Sequence, residues 1–171
     1  MLLLAADEGR FGRLGQVMRA WCPPGIRPVV GQQIVREYIY AYAAVAPALG
    51  KMTALVLPYA NTQMMNIFLA QVSQEFKDYF LIMQVDGAAW HCSKGLVIPE
   101  NLRLITQPAH SPELNPIEHL WEEIRENHFY NQVFDSIEAV MDKLCFGLNE
   151  LISTPERLRA MTYFPHLRKP F

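Results

Sequence analysis

The chain has 171 residues, of which 51% are apolar, and this suits one domain with a sizeable buried core. Its formal net charge of −2 counts against a strongly basic nucleic-acid-binding domain. The cysteines are far apart and lack metal-ligand spacing, which argues against a disulfide framework and a zinc site and indicates reduced thiols: Cys22, Cys92 and Cys145.

The first third of the chain predicts sequential antiparallel strands. Residues 2–6 form a short apolar run that suits a buried strand ending at Asp7. Glycines at three positions within residues 7–16 predict a hairpin or a bent strand. The other extended segments predicted in this third are residues 17–22, 35–45 and 52–57.

After this third the apolar period changes. Apolar positions at helical spacing predict a helix from Thr62 to Tyr79, and a short apolar strand over residues 81–85 ends at Asp86. The remaining predicted segments are a short helix at 91–97, a strand at 102–105, an irregular stretch at 108–116, a helix from Pro116 capped by Asn115, and a long helix from Asp135 or Ser136. This order predicts an α/β protein with a ribonuclease H-like fold, a mixed five-stranded sheet with helices on both faces.

Three carboxylates occupy positions that would suit a metal site. Asp7 and Asp86 directly follow short apolar strands, and Glu118 lies in the first turn of a predicted helix. Burying a charged side chain is costly, so such acids are expected at a strand end, paired, or bound to a cation. Hard oxygen ligands favour Mg²⁺ or Mn²⁺, and two such ions could support an in-line phosphoryl displacement.

Each carboxylate also has a purely structural interpretation. Asp7 could open a turn before the glycine-rich segment, and Asp86-Gly87 is a common turn dipeptide. Glu118 stands three residues after Asn115 and could complete a capping box. Position alone therefore leaves both interpretations open.

Three sequence motifs carry a family resemblance. Residues 111–121, Ser-Pro-Glu-Leu-Asn-Pro-Ile-Glu-His-Leu-Trp, resemble the third catalytic motif of the mariner-like superfamily of cut-and-paste transposases, most of all its bacterial insertion-sequence branch. Residues 86–91, Asp-Gly-Ala-Ala-Trp-His, are similar to the second motif, and residues 6–12 resemble the first. The resemblance implies a DDE catalytic domain. Its catalytic and metal-binding residues would be Asp7, Asp86 and Glu118.

The resemblance also implies an activity and its partners. We expect metal-dependent hydrolysis and strand transfer of phosphodiester bonds at transposon ends, with Mg²⁺ or Mn²⁺ as cofactor and two ions during catalysis. The partners would be DNA, both the transposon ends and the target, and a second copy of the chain in an active homodimer. One departure is Gly87, where the family often has Asn, and the span from Asp86 to Glu118 is slightly short.

Residues near the motifs support narrower expectations. His91 could contact metal-bound water or a DNA phosphate, or could make a structural hydrogen bond. Glu8 and Glu113 are expected to be solvated or to support the ligands, and Trp121 is expected in the core. The alternating tyrosines of one strand predict a packed sheet face and not a base-stacking platform: Tyr38, Tyr40 and Tyr42.

Family members carry a helix-turn-helix module before the catalytic core, whereas the first catalytic aspartate here is residue 7. We therefore expect one catalytic domain over residues 1–171 without the helix-turn-helix module, which is either encoded as a separate chain that recognises the ends or lost. No apolar run reaches the ~18 residues of a membrane helix, so a cytoplasmic, nucleoid-associated location is expected. Several basic residues could touch phosphates, although solvation suits each one singly: Arg10, Arg13, Arg19, Arg157, Arg159, Arg168 and Lys169.

Two other functions remain open on sequence alone. A catalytically silent transposase remnant would keep the fold and contribute dimerisation or DNA contacts. Another ribonuclease H-like nuclease would act on RNA–DNA hybrids or DNA junctions, which the motif at residues 115–118 disfavours.

Overall fold

A computed structural model describes residues 1–108 and 111–164. Its sheet has five strands in the order β3-β2-β1-β4-β5. The strands are β1 (Leu2–Leu14), β2 (Ile34–Ala46), β3 (Lys51–Leu57), β4 (Leu81–Val85) and β5 (Leu102–Thr106). β1, β2 and β3 pair antiparallel, while β4 pairs parallel with both β1 and β5. The predicted mixed five-stranded sheet is confirmed.

Helices cover both faces of this sheet. They are α1 (Thr62–Glu75), α2 (Ile117–His128), α3 (Ile137–Ile152) and α4 (Pro155–Thr162), with 3₁₀ turns at Ala89–Cys92 and Pro112–Leu114. Side chains of α1 pack with one face of β1 and β4, and α2, α3 and α4 pack on the other face. The two cores follow from the alternation of side chains along each strand. This is the ribonuclease H-like arrangement expected from the element order.

Apolar alternation along β1 shows how one strand serves both cores. Leu4 and Ala6 lie in the α1 core, and Ala5 and Phe11 lie in the opposite core. A strand buried on both faces reads as a continuous apolar run, which is the pattern at residues 2–6. The apolar run ends at Asp7, but pairing with β2 continues to Leu14 with an irregularity after Gly12, so of the two alternatives predicted for residues 7–16 the bent strand is the correct one.

Other boundaries also differ from the sequence prediction. Residues 17–22 are not a strand, α1 ends at Glu75 instead of Tyr79, and the helix predicted at 91–97 is the 3₁₀ turn Ala89–Cys92. α4 was not predicted as a separate helix, although Pro155 at its first turn is a start signal. In the part of the chain that the structure describes, no helix is long and apolar enough to cross a membrane.

Candidate metal centre

Asp7 lies where one edge of β1 becomes open. β4 pairs with β1 only from Leu2 to Ala5, whereas β2 pairs with β1 as far as Leu14. Asp7 therefore stands just beyond the last β1–β4 pair, with backbone pairing to β2 alone. On the side that faces β4, Asp7 therefore lies where strand pairing has ended. This explains how a carboxylate is accommodated in an otherwise apolar sheet.

Asp86 follows directly after β4. The last described pair of β1 and β4 joins Ala5 to Gln84, and the same register continued by two residues places Asp7 beside Asp86. Neighbouring strands are about 4.8 Å apart, so the two acids emerge side by side. The Oδ1 atom of Asp86 accepts the N–H of Ala88 at 3.0 Å, so the turn interpretation is also correct.

Glu118 lies in the first turn of α2, on the face of the sheet that Asp7 occupies. Its negative charge is one of the causes that raise the pKa of Asp7, which places it near that carboxyl group. Asn115 accepts the N–H of Ile117 at 3.2 Å. Among the described residues Glu118 does not return a side-chain bond to Asn115, so the capping box is not formed. Glu118 therefore lies at the same edge as Asp7 and Asp86, although among the described residues these three do not bring ligand atoms within 4.8 Å of one another.

The carboxyl group of Asp7 carries the strongest electrostatic signal at this edge. Burial raises its pKa from the ordinary value of 3.8 to about 7. A hydrogen bond from Trp121 opposes this rise, while the charges of Glu118, Glu8 and Asp86 add to it. The same mutual repulsion would be relieved by a divalent cation between the carboxylates.

Trp121 fixes the orientation of Asp7. The indole Nε1–H donates to Oδ2 of Asp7 at 2.8 Å, and the side chain is otherwise buried in the core beside Phe11. Gly9 provides the space for this contact, since a Cβ atom there would lie 2.8 Å from Cδ2 of Trp121. The prediction of core packing for Trp121 is confirmed, but the sequence did not reveal that its polar edge reaches Asp7.

Glu8 points to the opposite face of the sheet from Asp7. Its side chain is only 5% exposed, which corrects the expectation of a solvated residue. One carboxylate oxygen accepts the Nε1–H of Trp90 at 3.3 Å, and the other lies 3.0 Å from Nε2 of His91. The alternation of strand side chains was the available signal, because the residue after Asp7 had to turn away from it.

His91 joins Glu8 to Asp86. Its Nδ1 atom lies 2.8 Å from Oδ1 of Asp86 and 3.1 Å from the backbone oxygen of the same residue. Burial lowers the pKa of His91, but the hydrogen bond and charge of Glu8, helped by Asp86, outweigh it and raise the pKa overall. Of the roles expected for His91, these contacts support a structural hydrogen bond.

Two donor sets therefore meet at Asp86. Glu8, Asp86 and His91 offer ligand atoms within 4.8 Å of one another. Both ring nitrogens of His91 already face oxygen atoms, however, so this set would have to break a contact to bind an ion. The set of Asp7, Asp86 and Glu118 contains only carboxylate oxygens, as Mg²⁺ and Mn²⁺ prefer, and its buried member is repelled by its neighbours. These residues fit a divalent cation.

Other residues singled out from the sequence lie away from this edge. Glu113 is exposed in the turn before α2. Tyr42 is buried and donates to the backbone oxygen of Tyr59 at 3.0 Å, as expected of a packed sheet face, whereas Tyr38 lies beneath the guanidinium of Arg10. Arg168 and Lys169 lie outside the described residues.

Comparison with known protein families identifies the chain. Residues 3–141 match the profile of a family described as DDE superfamily endonuclease. The chain is also 33% identical over 125 residues to "Uncharacterized protein y4pE/y4sA" of Sinorhizobium fredii, covering 72% of this chain and 93% of that protein. The chain belongs to the DDE superfamily endonuclease family.

Solved structures show the same fold. The Mos1 strand transfer complex matches with a TM-score of 0.62 and 16% identity over 99% of this chain. The Mos1 mariner paired end complex with Mn matches with a TM-score of 0.60 and 17% identity, again over 99% of the chain. The match covers 55% and 56% of those chains, so the present chain spans just over half of their length. At these identities the comparison establishes the ribonuclease H-like fold.

Proposed function

We propose that this member of the DDE superfamily endonuclease family is a DNA transposase catalytic domain that hydrolyses and transfers phosphodiester bonds at transposon ends. The observation that carries the proposal is the pairing of β1 with β4, whose register brings Asp7 and Asp86 together beside the helix that bears Glu118. Structural likeness to Mos1 complexes, including paired end complexes with Mn and with Mg, supports the same function.

Asp7, Asp86 and Glu118 are proposed as the residues that hold the metal. Bound Mg²⁺ or Mn²⁺ ions, two during catalysis, supply a nucleophile at neutral pH and charge stabilisation for the leaving oxygen. Asp7 contributes a carboxylate whose direction is fixed by Trp121. The side chain of Asp86 contacts Ala88 and His91 through Oδ1, so Oδ2 is the atom proposed to bind the metal.

Glu8 and His91 are proposed as positioning residues and not as ligands. Glu8 holds Nε2 of the imidazole, and Nδ1 then faces the Asp86 carboxylate, so the ring restricts how Asp86 turns. Partners of this kind fix ligand orientation in metal sites. The burial of the pair strengthens each contact because water does not compete for it.

The domain organisation and partners are part of the same proposal. Residues 1–171 would form one catalytic domain, acting on DNA as a homodimer, with recognition of the transposon ends supplied by a separate helix-turn-helix chain.

A nicking assay on supercoiled plasmid DNA tests the enzymatic function. With Mn²⁺ present, the wild-type chain should convert supercoiled to open-circular DNA, and Asp86→Ala should abolish the conversion. Asp78→Ala is the matched control, because Asp78 is exposed and precedes the opposite end of β4. Equal nicking by wild type and Asp86→Ala would overturn the proposal.

A catalytically silent remnant, which would keep the fold and contribute dimerisation or DNA contacts, is the second candidate. It predicts no nicking by any variant, together with a stable homodimer or DNA binding that Asp86→Ala leaves unchanged. Analytical ultracentrifugation with and without a DNA duplex distinguishes this outcome from an inactive, unfolded preparation.

A further inference from the structure

A second concave feature lies farther along β1 from Asp7. A pocket of about 260 Å³ opens between the last part of β1 and the C-terminal half of α2. None of its lining residues is acidic, and three are arginines: Arg10, Arg13 and Arg125. We call this feature the arginine pocket. The side-chain amides of Gln16 and Gln132 add further hydrogen-bond donors to its lining.

Two of the three arginines keep an uncompensated charge. Arg13 is paired with Glu37 at 2.8 Å and donates to the backbone oxygen of Phe134 at 2.9 Å. Arg10 lies 4.6 Å above the Tyr38 ring, and Arg125 is 5.2 Å from the Phe11 ring. Over residues 1–108 and 111–164 neither of these two makes an ion pair. The pocket therefore concentrates positive charge in a chain whose net charge is −2.

The arginine pocket shares a wall with the candidate metal centre. The Phe11 ring in the pocket packs edge to face on Trp121 with centroids 5.8 Å apart, and the indole of Trp121 bonds Asp7. Arg10 follows Asp7 by three residues in the same strand, so strand alternation directs its side chain to the opposite face from Asp7, over Tyr38, whereas Phe11 shares the face of Asp7. An acidic site and a basic pocket thus lie in sequence along one open strand edge.

We propose that the arginine pocket binds a backbone phosphate of the DNA strand held at the metal centre. The inference rests on the proposed function, since it names where the same substrate continues. Guanidinium groups suit this task because they offer forked donors to phosphate oxygens.

The size and lining of the pocket select this ligand. Its volume is below the roughly 300–1,000 Å³ of pockets for drug-sized ligands, which suits a group as small as one phosphate with its sugar. The arginines also pack on aromatic rings, and a purely packing role would make their loss affect stability without changing DNA affinity. The two roles therefore differ in a measurable way.

Fluorescence polarisation with a labelled single-stranded oligonucleotide, in EDTA, measures the binding step alone. The double variant Arg10→Gln, Arg125→Gln should bind at least about tenfold more weakly at low salt, and its log–log salt slope should be shallower by about one to two units. Lys77→Gln with Arg103→Gln removes two exposed charges elsewhere and should leave the slope within error. An unchanged slope in the first double variant would overturn the proposal.

Glu37→Gln keeps the test decisive if the double variant does not fold. Glu37 is half exposed and its loss releases Arg13 from its ion pair, so DNA should bind a few-fold more tightly. Weaker or unchanged binding would count against the pocket. Competition with inorganic phosphate at matched ionic strength shows whether the oligonucleotide is bound through a phosphate in this pocket. Phosphate should displace the oligonucleotide from wild type more effectively than from the Arg10→Gln, Arg125→Gln variant. Equal displacement from both proteins would contradict the proposal.

These measurements separate the pocket from the proposed function. Binding that depends on the arginines, in a chain that does not nick plasmid DNA, would support the pocket and refute the nuclease. If the chain nicks plasmid DNA but its DNA affinity does not depend on the arginines, the nuclease function would be supported and the pocket refuted.

Discussion

Asp7 and Glu8 are neighbouring acids in one strand, yet they occupy opposite environments. Asp7 faces α2, receives one hydrogen bond from Trp121, and is repelled by other carboxylates. Glu8 faces the other side of the sheet and is held by both Trp90 and His91. A carboxylate with few donors and several acidic neighbours is suited to a cation, whereas one with two donors is suited to positioning. The difference supports distinct proposed roles for two adjacent acids.

Loss of the Asp7 carboxylate should have the largest effect. Asp7→Asn removes a charged ligand, and we expect Mn²⁺-dependent nicking to fall on the order of 10³-fold or more, since metal ions contribute several kcal/mol to such reactions. Glu8→Gln should lose much less. Asp78→Asn is the control for a surface acid. Single-turnover nicking rates measure both variants. An equal fall in rate for Asp7→Asn and Glu8→Gln would contradict the distinction between the two acids.

The pH dependence of stability provides the next test. Asp7 has a pKa of about 7 in the folded chain against the ordinary 3.8, so without metal the folded state binds more protons between these values. The free energy of unfolding should therefore fall as pH rises from about 4 to about 7, by at most a few kcal/mol. Urea denaturation in EDTA measures it. Asp7→Asn should flatten the curve, and an unchanged slope in that variant would contradict the assignment.

Removal of the positioning pair should have an intermediate effect. Glu8→Ala leaves the buried His91 ring without its Nε2 partner, so the ring should no longer restrain Asp86. We expect Mn²⁺ affinity to weaken by about 10–100-fold. Glu8→Gln keeps an oxygen acceptor and should recover part of the loss, which a general packing defect would not allow. Isothermal titration calorimetry with Mn²⁺ measures both variants.

Loss of the Trp121 donor should have the smallest effect. Trp121→Phe keeps an aromatic ring beside Phe11 but removes the hydrogen bond to Asp7, at a net cost of about 1.5–3 kcal/mol for a bond to a charged group. Affinity for Mn²⁺ should fall about tenfold. Leu120→Met is a control for buried substitutions in the same helix. Equal Mn²⁺ affinity in Trp121→Phe and wild type would show that Asp7 does not depend on this bond.

The sequence predicted the sheet well because its strands have clear apolar runs. It failed where a boundary depends on pairing with another strand. β1 extends past Asp7 because β2 continues to pair there, and the glycines of residues 7–16 alone did not decide between a bent strand and a hairpin. α1 ends at Glu75 although its C-cap residue Phe76 is still buried, so the apolar period continues past the last helical turn.

The candidate site divides in the same way. Motif order predicted Asp7, Asp86 and Glu118 as ligands, which remains a proposal supported by their position at one edge. The functions of Glu8 and Trp121 arise from contacts between residues more than 80 positions apart, as in the pairing of Glu8 with His91. Local patterns do not encode such contacts, although strand alternation already separates Glu8 from Asp7.

A crystal soaked in Mn²⁺ tests the division between Asp7 and Glu8 most directly, because anomalous scattering locates the ion. Asp86 belongs to two sets of candidate ligands. One set contains Asp7 and Glu118, and the other contains Glu8 and His91. We expect the anomalous peak between Asp7 and Asp86, with the contacts of His91 unbroken. A peak bound by Glu8 and His91, with none beside Asp7, would contradict the account.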